Sequence, residues 1–202
     1  LIVDHGLRPE SGAEALQVAD WLRGEGMNAE VLTWAGPKPK TGIQAGARAA
    51  RYRLLIERCS AQEVSQLLLA HHQDDQAETF LLRLFRGSGV DGLACMASVS
   101  QPPIKAAVEA ATQVQLLRPL LTIPKSRLVA TLRERGVSWV EDPSNQRQEF
   151  TRVRVRRILE QLSNEGVTPD RLSVAAGRMA RARAALESAT QELVRKSAQF
   201  YP

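Results

Sequence analysis

The chain has 202 residues and is 44% hydrophobic, enough for a packed core, so disordered and fibrous classes are excluded and one α/β domain with an appendage fits the length. Its net charge of +5 and pI near 9.7 point to phosphate-bearing partners, because the first hundred residues are nearly balanced and the excess falls later. No apolar run approaches the roughly 18 residues of a membrane span, no basic leader precedes Leu1, and Cys59 and Cys95 match neither a disulfide framework nor a zinc spacing, so a reduced, cytoplasmic setting with both cysteines in the core is expected.

In chain order, Leu1 to Val3 reads as a strand and His5 to Pro9 as a loop. Ser11 and Glu14 form an S-x-x-E capping box that opens a helix to about Arg23, ended by Gly24 and Gly26. Glu30 to Trp34 is a second strand. Residues 36–42, rich in glycine, proline and lysine, form a loop. Gln44 to Cys59 is a helix, and Leu67 to Ala70 is a third, buried strand. Phe80 to Arg86 reads as a helix stopped by Gly87. Residues 98–115 fit an irregular loop or a hairpin, and Gln115 to Leu120 a strand broken at Pro119. Thr122 is read as the cap of a helix with Pro124 near its start and Gly136 at its end. Val137 to Val140 reads as a short strand, Glu141 to Asn145 as a polar turn, and Thr151 to Leu162 as a basic helix. A long helix begins at Thr168-Pro169. Along it Leu172, Met179, Leu186 and Leu193 recur every seven residues, a narrow seam that suits packing within the chain better than a coiled-coil homo-oligomer. Strands alternating with helices predict an α/β fold with a parallel sheet, helices on both its faces, and a C-terminal helical extension. The expected division is a catalytic domain over 1–165 and a helical extension over 166–202.

Chemistry concentrates at His71-His72-Gln73-Asp74-Asp75-Gln76-Ala77-Glu78-Thr79, where a strand hands over to a helix. Ligands of open α/β sheets bind at that edge. Asp75, Glu78 and Thr79 fall at helical spacing, so they share a face. Carboxylates there suit Mg²⁺, which takes oxygen ligands and keeps substrate phosphates in its shell, and Asp75 is the candidate ligand. His71, His72, Asp74 and Asp75 are the candidate catalytic groups, because imidazoles and carboxylates packed at such an edge can transfer protons and balance charge on phosphates. Arg147, Arg152, Arg154, Arg156 and Arg157 crowd into eleven positions and form a candidate phosphate-backbone contact. Trp34 and Trp139 are read as core residues rather than stacking platforms.

Five segments occur together and in order: V-D-H-G-L-R-P-E-S at 3–11, H-H-Q-D-D-Q-A-E-T at 71–79, R-G-S-G at 86–89, R-P-L-L at 118–121 and W-V-E-D-P-S-N at 139–145. With them the chain resembles the bacterial tRNA(Ile)-lysidine synthetases of the PP-loop ATP pyrophosphatase superfamily, whose fold is of the adenine nucleotide alpha hydrolase type. The resemblance covers about residues 1–165. It implies an enzyme that uses ATP and Mg²⁺ to adenylate the wobble cytidine of a tRNA(Ile) with a CAU anticodon. L-lysine then displaces AMP. It places Asp4, His5, Glu78 and Thr79 at the ATP. Arg48 and Arg51 of A-R-A-A-R-Y, with Glu141, Asp142 and Asn145 and with Arg152, Arg154, Arg156 and Arg157, fall at substrate or tRNA. The family's S-G-G-x-D-S phosphate loop is not in the chain and is expected upstream of Leu1, which opens mid-strand without Met. Gly87-Ser88-Gly89 cannot replace it, because it follows a helix instead of opening one. Arg152 is followed by Val153 where the family often has Arg-Asn. A tRNA thiolase is a second reading within the superfamily, opposed by two distant cysteines without C-x-x-C. An inactive tRNA-binding fragment is a third.

Overall fold

The computed structural model describes residues 1–103, 114–140 and 151–197. Within these, the described residues of Leu1–Leu69, Val99–Leu117 and Ser138–Glu141 form one compact unit, and those of Ala70–Ser98, Arg118–Val137 and Asp142–Pro202 a second.

The first unit is α/β. Strand β1 (Ile2–Asp4) leads through helix α1 (Ser11–Gly24) to β2 (Val31–Thr33), which pairs parallel with β1. Helix α2 (Ile43–Ala61) leads to β3 (Gln66–Leu68). Strand β5 (Gln115–Leu117) lies parallel beside β3, and on its other side β4 (Val99–Ser100) runs antiparallel. The strands therefore form two sheets, a parallel pair β1–β2 and a three-stranded sheet β3–β5–β4 that is parallel except at its β4 edge. The core gathers Tyr52, Ile56 and Cys59 from α2 with Val114 and Leu116. These α2 residues sit three and four apart, so one stripe of the helix meets the sheet. Gly46 lets the preceding loop fold onto α2: a Cβ there would stand 2.8 Å from Pro39 Cγ and 3.6 Å from the Trp34 ring.

The second unit is helical. It holds α3 (Gln73–Leu84), α4 (Val90–Leu93), α5 (Lys125–Glu134), α6 (Thr151–Asn164) and α7 (Pro169–Ser197). Its core joins Ala77, Phe80 and Leu81 of α3 to Cys95, to Val155 and Leu159 of α6, and to Leu172 and Ala176 of α7. The heptad seam is buried only at its start. Leu172 is buried and Met179 packs against the core, while Leu186 and Leu193 are 58% and 64% exposed.

Several sequence expectations are corrected. Ser11 is not a cap. The backbone cap of α1 is Glu10, and the Ser11 hydroxyl instead donates to Asp4 and to the Arg8 carbonyl, while Glu14 pairs with Arg8. Thr122 is not a cap either: Pro124 holds that position, and the Lys125 N–H donates to the Asp74 carboxylate. Residues 137–140 form no strand, and Trp139 is exposed rather than core. Helix α3 starts at Gln73, seven residues before the expected Phe80, so the acidic cluster lies inside its first turns. The short helix α4 had not been anticipated. Gly136 ends α5 as expected, in the left-handed conformation that glycine adopts most cheaply. The polar turn with Glu141, Asp142 and Asn145 lies outside the described residues.

Candidate active site

In the second unit the histidine–carboxylate segment forms the amino end of α3. His72 is extended and caps the helix. Its backbone N–H donates to Asp75 Oδ2 at 3.0 Å, which fixes the Asp75 carboxylate against the first turn. The His72 ring lies between two acids: Nδ1 is 3.6 Å from Asp74 Oδ2 and Nε2 is 3.5 Å from Asp75 Oδ2. Asp74 Oδ2 also accepts the Lys125 N–H at 2.8 Å. The negative charges sit where the helix dipole favours them. His71 is half-buried just ahead of the cap, and Thr79 is half-buried about two turns on.

Glu78 is only 2% exposed and pairs with Arg156 of α6, Oε1 to Nε at 2.5 Å. Burial works against the Arg156 charge. The Glu78 hydrogen bond and the carboxylates of Glu78, Asp75 and Asp74 more than offset it, so the guanidinium is held above its ordinary range. Arg152, Arg154 and Arg157 of the same helix are exposed. Arg152 shares a side of the helix with Arg156, and Arg154 shares another with Arg157; Arg156 pairs with the acidic cluster, through Glu78. Gln73, next to the cap, is buried. Its backbone N–H donates to the Ile123 carbonyl at 3.0 Å and its side-chain amide to Asp170 of α7 at 3.1 Å. Gln76 exchanges two hydrogen bonds with the Met96 backbone, at 2.8 and 3.0 Å. Arg118, buried, donates to the Ala97 carbonyl. Sequence reading had missed the roles of Gln73, Gln76 and Asp170. Their partners lie up to 97 residues away, and no local pattern marks them.

The first unit holds the other expected residues. Asp4 accepts the Gly6 N–H at 2.9 Å and the Ser11 hydroxyl at 2.7 Å. Burial pushes its carboxyl up; those two donors, with His5 and Lys38 nearby, outweigh it and hold the group below its usual value. Burial and the Arg51 guanidinium push His5 below its ordinary value, so its ring is neutral at pH 7. His5 meets Trp34 edge-on at 6.3 Å between centroids, and the Lys38 ammonium covers the Trp34 ring at 4.1 Å. Arg48 and Arg51 flank the Tyr52 ring at 5.1 and 5.6 Å. A cleft of about 550 Å³, lined by Trp34, Gly46, Arg48, Tyr52, Arg53 and Pro103, opens beside them. Trp34 is therefore half-buried at a cleft wall rather than in the core.

Among the described residues, no group of three or more His, Cys, Asp or Glu side chains is arranged to hold a metal ion. No described helix is long and apolar enough to cross a membrane. A family profile for the PP-loop domain matches residues 1–162. The chain belongs to the PP-loop family. Its PP-loop relatives include the tRNA(Ile)-lysidine synthase of Bradyrhizobium sp. strain BTAi1, 46% identical over 185 residues that cover 92% of this chain and 49% of the relative. The tRNA(Ile)-lysidine synthase of Rhodopseudomonas palustris is 47% identical over 93% of this chain and 52% of its own length. The chain spans about half the length of the curated relatives it matches. Among solved structures, the U34-tRNA thiolase NcsA from Methanococcus maripaludis, with its [4Fe-4S] cluster, aligns with a TM-score of 0.67 and 14% identity, covering 89% of this chain and 59% of that one. This supports the PP-loop fold and nothing finer.

Proposed function

We propose that this PP-loop chain carries the catalytic residues of a tRNA(Ile)-lysidine synthase. ATP adenylates the wobble cytidine of a tRNA(Ile) with a CAU anticodon, pyrophosphate leaves, and the amine of L-lysine then displaces AMP. The observation that carries the reading is the 46% identity, sustained along 92% of the chain, to a protein of that name. On this reading the work is done in the cytoplasm.

Asp75 is the candidate for Mg²⁺. One of its oxygens is committed to His72, which leaves the other able to join phosphate oxygens and water around a single ion, the usual arrangement for this metal. When bound, Mg²⁺ would offset charge developing on the α-phosphate and the departing pyrophosphate. Asp74 and Asp75, oriented by the Lys125 N–H and the His72 N–H, are suited to hold the lysine ammonium and take its proton before attack. Glu78 acts one layer behind, through Arg156. His5, neutral at pH 7, suits hydrogen bonding near the nucleotide, while Arg48 and Arg51 supply positive charge for phosphates. Arg152, Arg154 and Arg157 are proposed to meet the tRNA backbone.

A thiolase reading is weaker. The chain has two cysteines, each buried in a different core, and burial holds both thiols above their ordinary range, Cys95 at about 11. Thiolate ligands and sulfur carriers need the opposite. The test is to incubate the full-length protein with ATP, Mg²⁺, lysine and a tRNA(Ile) CAU transcript. AMP release should depend on lysine, and the wobble nucleotide should gain a lysyl group by mass. AMP release without a lysyl adduct, or a sulfur adduct in its place, would overturn the assignment. Equilibrium ATP binding by the same protein separates an enzyme from an inactive tRNA-binding chain.

A further inference from the structure

We infer that Asp170, in the first turn of α7, is a positioning residue for the acidic cluster and acts through Gln73; its bearing on catalysis rests on the function proposed above. Asp170 lies beyond the residues 1–162 that match the PP-loop profile, so nothing in that match gives it a role. Gln73 is the first residue of α3, flanked by His72 and by Asp74 and Asp75. Two bonds hold it. The Ile123 carbonyl takes its backbone N–H, and Asp170 Oδ1 takes a hydrogen from its amide at 3.1 Å. Gln73 is buried, so its amide has little access to water as a substitute partner, and an unmet buried polar group is costly.

The bond is polarised. A carboxylate can only accept and an amide NH₂ donates, which makes the contact charge-assisted. The α7 partner does not sit on a loose tail. Leu172 and Ala176, two and six residues on, are buried in the same core as Ala77, Phe80 and Leu81 of α3. Asp170 is thus anchored to a rigid element, and through Gln73 it sets the pitch of the turn whose N–H fixes Asp75. A shift of about 1 Å at such a turn is enough to cost on the order of a hundredfold in rate.

The polarity supplies the test. Gln73→Glu sets two carboxylates against each other. Asp170→Asn alone retains a neutral amide–amide bond. The double variant restores the contact with donor and acceptor exchanged. All would be made in the full-length protein. Gln73→Glu should lower the kcat of lysine-dependent AMP release at least tenfold, with KM for tRNA within twofold of the parent. Asp170→Ala, which leaves the buried Gln73 amide without its acceptor, should lower kcat at least threefold, and near-parental kcat in it would overturn the inference. The double variant should recover to within about threefold of the parent, a rescue that a general loss of stability would not give. A double variant no better than Gln73→Glu would overturn the inference. Amide hydrogen exchange over 72–76, measured without substrates, decides the matter independently of activity. It should quicken about tenfold in Gln73→Glu and return to the parental rate in the double. Unchanged exchange in Gln73→Glu would overturn the positioning role. If the parent itself forms no lysidine, the proposed function fails while the exchange measurement still decides the role of Asp170.

Discussion

Asp75 holds one oxygen against the His72 N–H and has another to give. Asp75→Asn keeps that hydrogen bond and the side-chain shape but removes the charge, so the fold should survive and adenylation should fall at least a hundredfold, about 2.7 kcal/mol of barrier. Near-parental adenylation at ordinary Mg²⁺ would take Asp75 out of the site. His5 gives a pH prediction. Its folded pKa lies below the ordinary 6.5, through burial first and Arg51 second, with Asp4 acting in the opposite sense and Lys38 in the same. The unfolded chain therefore takes up the proton first. The stability contributed is present above about 6.5 and is lost as pH falls through the folded value. Unfolding midpoints should drop as the pH falls below about 6.5, and His5→Asn should flatten that slope. Equal slopes in the two proteins would show that other groups govern it. At this scale the acidic cluster was legible, because chemistry-bearing residues stood side by side in sequence. The commitments of its members were not. That Glu78 turns inward to Arg156, and Gln73 to Asp170, depends on partners 78 and 97 residues away.

Helix α6 shows how one element divides its charge. Arg156 pairs with Glu78 of α3, while Arg154 and Arg157 share another, exposed side of the helix. Replacing Arg154 and Arg157 with Gln should weaken tRNA binding and make its salt dependence shallower by up to about two units of log–log slope. Arg156→Gln should leave that slope unchanged. It should instead lower stability, on the order of 2 kcal/mol, because it strands a buried carboxylate; the figure is reduced for the partial exposure of the guanidinium. A steep, parental slope in the Arg154/Arg157 variant would make the outer face merely solvated. Helices were the most readable elements: α2, α6 and α7 lie within a few residues of their expected bounds, because apolar periodicity and glycine stops are local signals. Caps were not. S-x-x-E at Ser11 has the spacing of a capping box, yet Asp4, seven residues earlier, captures the hydroxyl. Strands of two or three residues carry too short a pattern to fix their ends, and the antiparallel β4 could not be told from an irregular loop.

For the chain as a whole, the two compact units have separate cores, and each core encloses one cysteine: Cys59 beside Tyr52 and Ile56, and Cys95 beside Phe80 and Leu81. The Cys95 thiol is held at about 11 by burial, against 9.0 ordinarily, so its contribution is intact below pH 9 and fades as pH rises through the folded value. Neither thiol should react with iodoacetamide in the native protein at pH 8. In increasing urea, labelling of Cys59 should report opening of the first core and labelling of Cys95 opening of the second. Rapid native labelling at either would contradict its burial. The same enclosure bears on oxidative stress. Peroxide attacks thiolates that it can reach, and here both sulfurs are protonated and shielded. Cys59 and Cys95 should therefore survive an oxidant dose that modifies exposed thiolates, and sulfenic acid should form only on molecules whose cores have already opened.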